Sequence, residues 1–212
     1  MDLMKVRRRM LMEQKKRLPS AYQEVEWVRS TGTQFIDLPY AFDNTDEITI
    51  TGAIETYGTD KFMLAPIRWN DNRNRFAMVG QIVMVNSNYL TVGYGATATG
   101  GTRLQPPVVN DFAMHTWTYK NELFSIPELG VTTDCTGIAF NAPTKQLRLF
   151  YGYNTTSTGK LSYYKHVKLN GEVYELIPCY RKSDGEIGMY DIANNVFYTN
   201  DGTGVFTKGA DV

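Results

Sequence analysis

The sequence predicts an all-β chain, a two-sheet antiparallel β-sandwich carrying a short N-terminal helical leader. Three observations predict it. Apolar and polar residues alternate with period two from Val25 to near the end, the candidate strands are short and separated by Gly, Asn and Asp, and no helical periodicity appears after residue 17. A chain of 212 residues can bury one sizeable core and is short for two. Its 14 Tyr and 18 Gly suit strands joined by tight turns.

The leader comes first, over residues 1–17, with the sandwich domain at 18–212. Residues 2–17 are rich in the good helix formers Met, Leu, Lys, Arg, Glu and Gln, and Pro19 ends the pattern. Met4, Leu11 and Leu18 share a heptad spacing, as do Leu3 and Met10, but the run is too short for a coiled coil. A lone helix of this length is marginal in water. Its partner is therefore expected to be the body, a sister subunit or a larger assembly. The leader carries seven basic and two acidic residues, a net +5, which leaves −5 on the remainder. A basic arm on an acidic body suits a negative receiving surface, or simple solvation. Leu3, Met4, Arg7, Arg8, Met10 and Leu11 are the candidate assembly residues.

The strands follow in order. Val25, Trp27 and Ser30 begin the period-two pattern, then Phe35, Ile36 and Leu38. Ile48, Ile50, Gly52 and Ile54 alternate with Glu47, Thr49, Thr51 and Glu55, the clearest half-buried strand. Further strands are expected at 61–67, 74–79, 81–86, 89–94, 114–120, 122–126, 145–152, 160–169, 172–181, 186–191 and 195–199. Trp27 and Trp117 lie within strand patterns and are expected in the core. Ala96 to Asn110, with Gly100, Gly101, Pro106 and Pro107, reads as a long surface loop.

Catalytic patterns are missing. A Ser/His/Asp arrangement needs a histidine beside a nucleophile; only His115 and His166 exist, each inside a strand pattern, and there is no GxSxG elbow. Glycoside hydrolysis needs two carboxylates across a bond, and no ExDxxE run supplies them. Glycine-rich phosphate loops are absent. Cys135 and Cys179 have no metal-type spacing and read as buried free thiols. The expectation is a protein that is not an enzyme and has no cofactor or metal. A calcium held by loop carbonyls and one or two Asp would leave little sequence trace and stays open. No stretch reaches membrane-spanning length and no signal-peptide h-region appears, so neither membrane insertion nor export is expected. Nucleic acid is not an expected partner.

Binding chemistry is present. Trp69 leads into Asn70, Asp71, Asn72 and Arg73, which offers a ring for sugar stacking and amides for hydroxyls. Tyr151, Tyr153 and Asn154 repeat the combination. The competing reading is hairpin chemistry beside core aromatics.

The run from Leu18-Pro-Ser-Ala-Tyr through Val25-Glu-Trp to Ser30-Thr-Gly-Thr-Gln-Phe-Ile-Asp37 resembles the opening of concanavalin A-like (laminin G-like) jelly-roll domains of phage virion and gut-bacterial surface proteins. Pro178 to Asp191 and Phe197 to Gly204 are similar to the family's closing motif, and Gly159 to Leu169 to its penultimate strand. The resemblance spans about 18 to 208 and implies the jelly-roll form of the sandwich. With the basic leader, it implies a phage virion structural or adhesin protein, made in the host cytoplasm and carried on the particle. The leader would dock on other virion proteins, and the domain would face outward toward host-surface glycans or neighbouring subunits. A homo-oligomer, by preference a trimer, is expected by analogy with viral fibres. The alternative is a non-catalytic carbohydrate-binding module of a bacterial surface protein.

Overall fold

Alternating burial sets the strands. Ile36, Leu38 and Tyr40 are buried while Asp37 and Pro39 are not, and Ile48 and Ile50 are buried between half-exposed Glu47, Thr49 and Thr51. The computed structural model describes residues 17–55, 61–66, 75–84, 87–95, 103–104, 108–140, 145–152 and 155–212. In chain order the strands are β1 (Tyr22–Glu24), β2 (Val28–Thr31), β3 (Ile36–Ala41), β4 (Glu47–Ile54), β5 (Lys61–Pro66), β6 (Arg75–Met84), β7 (Ser87–Gly95), β8 (Arg103–Leu104), β9 (His115–Lys120) and β10 (Leu123–Ile126). They continue as β11 (Val131–Asp134), β12 (Gln146–Leu149), β13 (Tyr151–Gly152), β14 (Thr155–Thr156), β15 (Thr158–Val167), β16 (Val173–Arg181), β17 (Ile187–Asp191), β18 (Val196–Tyr198) and β19 (Thr207–Lys208). One 3-10 turn, Pro127–Leu129, is the only helical element among the described residues.

The domain is all-β and antiparallel. Its larger sheet runs β11-β10-β9-β4-β15-β16-β17-β18, with β1 added beside β16 and β2, itself joined by β19, beside β15. The smaller sheet runs β3-β12-β5-β6-β7-β8, and β13 and β14 form a separate hairpin. Both sheets feed one core: Ile48, Ile50, Trp117 and Leu161 from the first meet Leu64, Met78, Leu147 and Leu149 from the second. Each fully buried aliphatic or Phe side chain contributes about 1.5–3 kcal/mol by leaving water. Cys135 and Cys179 are free and buried, as expected, and burial pushes both thiols up to about 12.

The two motifs that carry the family resemblance meet in space. Thr207 and Lys208 pair with Arg29 and Val28, and Val25 bridges Asp211. The Gln34 side chain accepts from Thr31 N–H and donates from Nε2 to the Thr203 carbonyl, while Asn200 Oδ1 accepts from Phe35 N–H and Asp201 Oδ2 from Asp37 N–H. Their residues are turn formers and caps: Asp191 Oδ1 accepts from the backbone N–H groups of Glu175, Ala193 and Asn194.

Several expectations are corrected. The runs at 74–79 and 81–86 are one strand, β6, with a bulge between Ala77 and Gly80 where Val79 adopts φ 52°. A Cβ on Gly80 would lie 2.3 Å from the Phe62 ring, so only glycine lets β5 and β6 approach there. The 96–110 loop contains β8 and a bridge from Val109 to Tyr89. Trp117 is core, but Trp27 is only half-buried, with the Lys160 ammonium 4.9 Å from its ring. Leu18, read as part of the leader's apolar stripe, instead packs with Ile177, Cys179 and Tyr190 in a second small cluster, on the face of β16 and β17 turned away from the main core. Leu3, Met4, Arg7, Arg8, Met10 and Leu11, and the leader helix with them, lie outside the described residues.

Candidate ligand-binding site

Of the residues expected to bind a ligand, Tyr151 is described; Trp69, Asn70, Asn72, Arg73, Tyr153 and Asn154 lie outside the described residues. Around Tyr151, described residues form a charged and aromatic cluster at the surface. Leu147 and Leu149 of β12 point into the core, which turns Arg148 between them outward. The register places Arg148 opposite Asp37 of β3, and the two form a two-pronged ion pair, Nε to Oδ1 and Nη2 to Oδ2, the latter at 2.9 Å. The guanidinium carbon lies 3.8 Å from the Phe35 ring centroid and 4.5 Å from that of Tyr151. The rings themselves are 6.1 Å apart at 62°. Among the described residues, two of the five guanidinium N–H groups are hydrogen-bonded, both to Asp37, and the guanidinium lies over the two ring faces.

The chain is bent to bring Tyr151 there. Phe150, fully buried, takes a left-handed φ of 59°, and its N–H donates to Met63 O at 2.7 Å. The β13–β14 hairpin then folds onto β5, where a Cβ on Gly152 would meet Phe62 at 2.7 Å. Lys61 Nζ donates to Thr155 Oγ1 at 3.0 Å, and Thr156 Oγ1 donates to the Gly32 carbonyl. The hairpin is thus pinned from two sides. Sequence reading missed Phe35, Asp37 and Arg148. Their outward direction was readable from alternation with Ile36 and with Leu147 and Leu149, but a pairing across 111 residues was not.

A second charged group is buried. His166 of β15 has 0 % exposure and Asp46 1 %, with Nε2 2.7 Å from Asp46 Oδ2. The Asp43 N–H also donates to that oxygen at 2.8 Å, and Lys168 Nζ lies 3.6 Å away. Burial holds the His166 imidazole below its ordinary pKa, although the Asp46 carboxylate partly offsets this. Burial pulls Asp46 upward, but the bonds from His166 and Asp43 and the nearby Lys168 charge outweigh it, so its carboxyl stays below the usual range. The pair is a neutral imidazole donating to a carboxylate. His115 is also hydrogen-bonded, its Nε2 2.9 Å from Asp111 Oδ1. Among the described residues, no group of three or more His, Cys, Asp or Glu could hold a metal ion, and no helix is long and apolar enough to cross a membrane.

No family model, curated protein or solved structure matches the chain.

Proposed function

We propose that the chain is a non-catalytic virion structural and adhesin protein. In this reading its leader docks on the particle, and its body, a concanavalin A-like jelly roll, faces outward to bind a surface glycan. The observation that supports it best is the Phe35–Arg148–Tyr151 stack. Half-exposed rings give a sugar its apolar face, and a guanidinium held still by Asp37 gives its hydroxyls donors that need no reordering on binding. Tyr153, Asn154, Trp69, Asn70, Asn72 and Arg73 are proposed as further contacts. The particle assignment rests on the sequence resemblance and the basic leader.

The test is a glycan array followed by titration calorimetry on the intact chain. Weak binding, about millimolar to micromolar, is expected, with avidity supplied by multiple copies on a particle. Tyr151→Ala and Arg148→Lys should each abolish it. A bound glycan whose affinity neither substitution changes would remove this site. Mass spectrometry of purified particles tests the virion assignment separately, and absence of the chain from them would refute it.

A further inference from the structure

The ends of the two sheets are treated differently. At the β3 edge, the outward groups are closed within the chain. Phe35 N–H and Asp37 N–H go to Asn200 and Asp201, the Phe35 carbonyl accepts from Asp201 N–H, Pro39 has no N–H, and the Ala41 carbonyl accepts from Lys168 Nζ. The β18 and β8 edges offer only three and two residues.

Among the described residues, no strand pairs with the outer side of β11. Cys135 N–H donates to Glu122 O at 2.8 Å, which fixes the phase of the β10–β11 ladder. Bonded pairs alternate along an antiparallel ladder. Thr133 and Val131 therefore face β10, and the N–H and C=O groups of Thr132 and Asp134 point away from it. No hydrogen bond from the described residues reaches those backbone groups, and no Lys, Arg or Pro interrupts Val131–Asp134. Thr132 and Asp134 are exposed.

We propose that this edge pairs antiparallel with the β11 edge of a second copy, joining two larger sheets across a two-fold axis. The strand selects its own register. Opposing Asp134 to Asp134 of the second copy sets like charges side by side. Opposing Thr132 to Thr132 brings Gly130 into the next bonded pair, yet Gly130 N–H is already held by Pro127 O at 3.0 Å. The remaining register opposes Thr132 to Asp134 twice, with Thr133 on the axis, and satisfies every outward group of both residues. It also sets each Thr132 hydroxyl beside a carboxylate that can accept from it. A two-fold contact of this kind is isologous, so the same short strand serves both sides.

Sedimentation equilibrium of the full chain tests the pairing. A dimer is expected. Thr132→Pro removes one outward N–H without touching the β10 ladder and should return a monomer. Thr132→Glu places a carboxylate against Asp134 at two symmetric positions and should raise the dissociation constant about tenfold, whereas Thr132→Lys should leave it unchanged or lower it. Circular dichroism of each variant should match the parent, because position 132 is exposed. A chain monomeric at millimolar concentration, or an oligomer of any size indifferent to all three substitutions, would overturn the proposal.

Discussion

Two carboxylates, Asp46 and Asp37, each meet a nitrogen group from a neighbouring strand, and their surroundings give them opposite uses. Asp46 and His166 are sealed at 1 % and 0 % exposure, with the imidazole Nε2 2.7 Å and the Lys168 ammonium 3.6 Å from the carboxylate. Asp37 and Arg148 sit at 34 % and 13 % side-chain exposure, with the faces of Phe35 and Tyr151 against the guanidinium. A buried pair has everything to lose when one member goes, because the other is left uncompensated. A surface pair loses little stability but can lose recognition. The comparison therefore separates residues that hold the fold from residues free to meet a ligand.

The largest expected effect is on the buried pair. His166→Ala leaves the Asp46 carboxylate buried without its main partner and opens a cavity beside Tyr40 and Tyr174. The expected loss is about 3–5 kcal/mol in urea unfolding. A loss under about 1 kcal/mol would mean that Asp46 relaxes to solvent, and the contrast with Asp37 would collapse.

Acid sharpens the same contrast. The folded-state pKa values of His166 and Asp46 are both depressed. Each group therefore binds protons more readily when unfolded, and its stabilisation is present above its unfolded pKa and lost as pH falls. Stability should begin to drop below about pH 6.5 as the unfolded histidine protonates, and drop further below about pH 4 as Asp46 follows. His166→Gln should flatten the upper part of that decline in a series of thermal melts. An unchanged profile would show that other groups set the acid limb.

Arg148→Lys comes next. It keeps the charge but gives up the two-pronged fork and the planar face between Phe35 and Tyr151. The expected loss of stability is about 1 kcal/mol, far below that for His166→Ala, while glycan binding vanishes. A loss as large as that of the buried pair would make Arg148 a structural residue.

Much of this layout was legible along the chain. The alternation around Ile48 and Ile50 gave β4 almost to the residue. Trp27 was misread because a strand pattern says which residues share a face but not which face is covered. Its neighbour Val28 is the buried one, and Trp27 lies outside under Lys160. Leu18 was misread for a related reason. A heptad spacing to Met4 and Leu11 looked helical, whereas its contacts are with Ile177 and Tyr190, residues more than 150 positions away. The candidate site was the least legible part. Asp37 and Arg148 are ordinary outward strand residues until the β3–β12 register sets them opposite each other, and Phe150 had to enter a left-handed conformation that no glycine announces.

The smallest effect belongs to an ion pair with neither burial nor rings. Lys120 Nζ lies 2.8 Å from Glu47 Oε1, with the side chains 60 % and 44 % exposed at the ends of β9 and β4. Both ions stay largely hydrated, and the attraction that remains is spent on ordering two long side chains and is screened by salt. Lys120→Ala should therefore change stability by about 0–1 kcal/mol, and the change should shrink further in 1 M salt. Unlike His166→Ala it leaves no uncompensated buried charge, and unlike Arg148→Lys it should leave ligand binding intact. A cost approaching that of the buried pair would mean that charge position along β4, and not burial, governs what these carboxylates are worth. Because Glu47 and Asp46 are adjacent in sequence, the two substitutions test that point on neighbouring carboxylates.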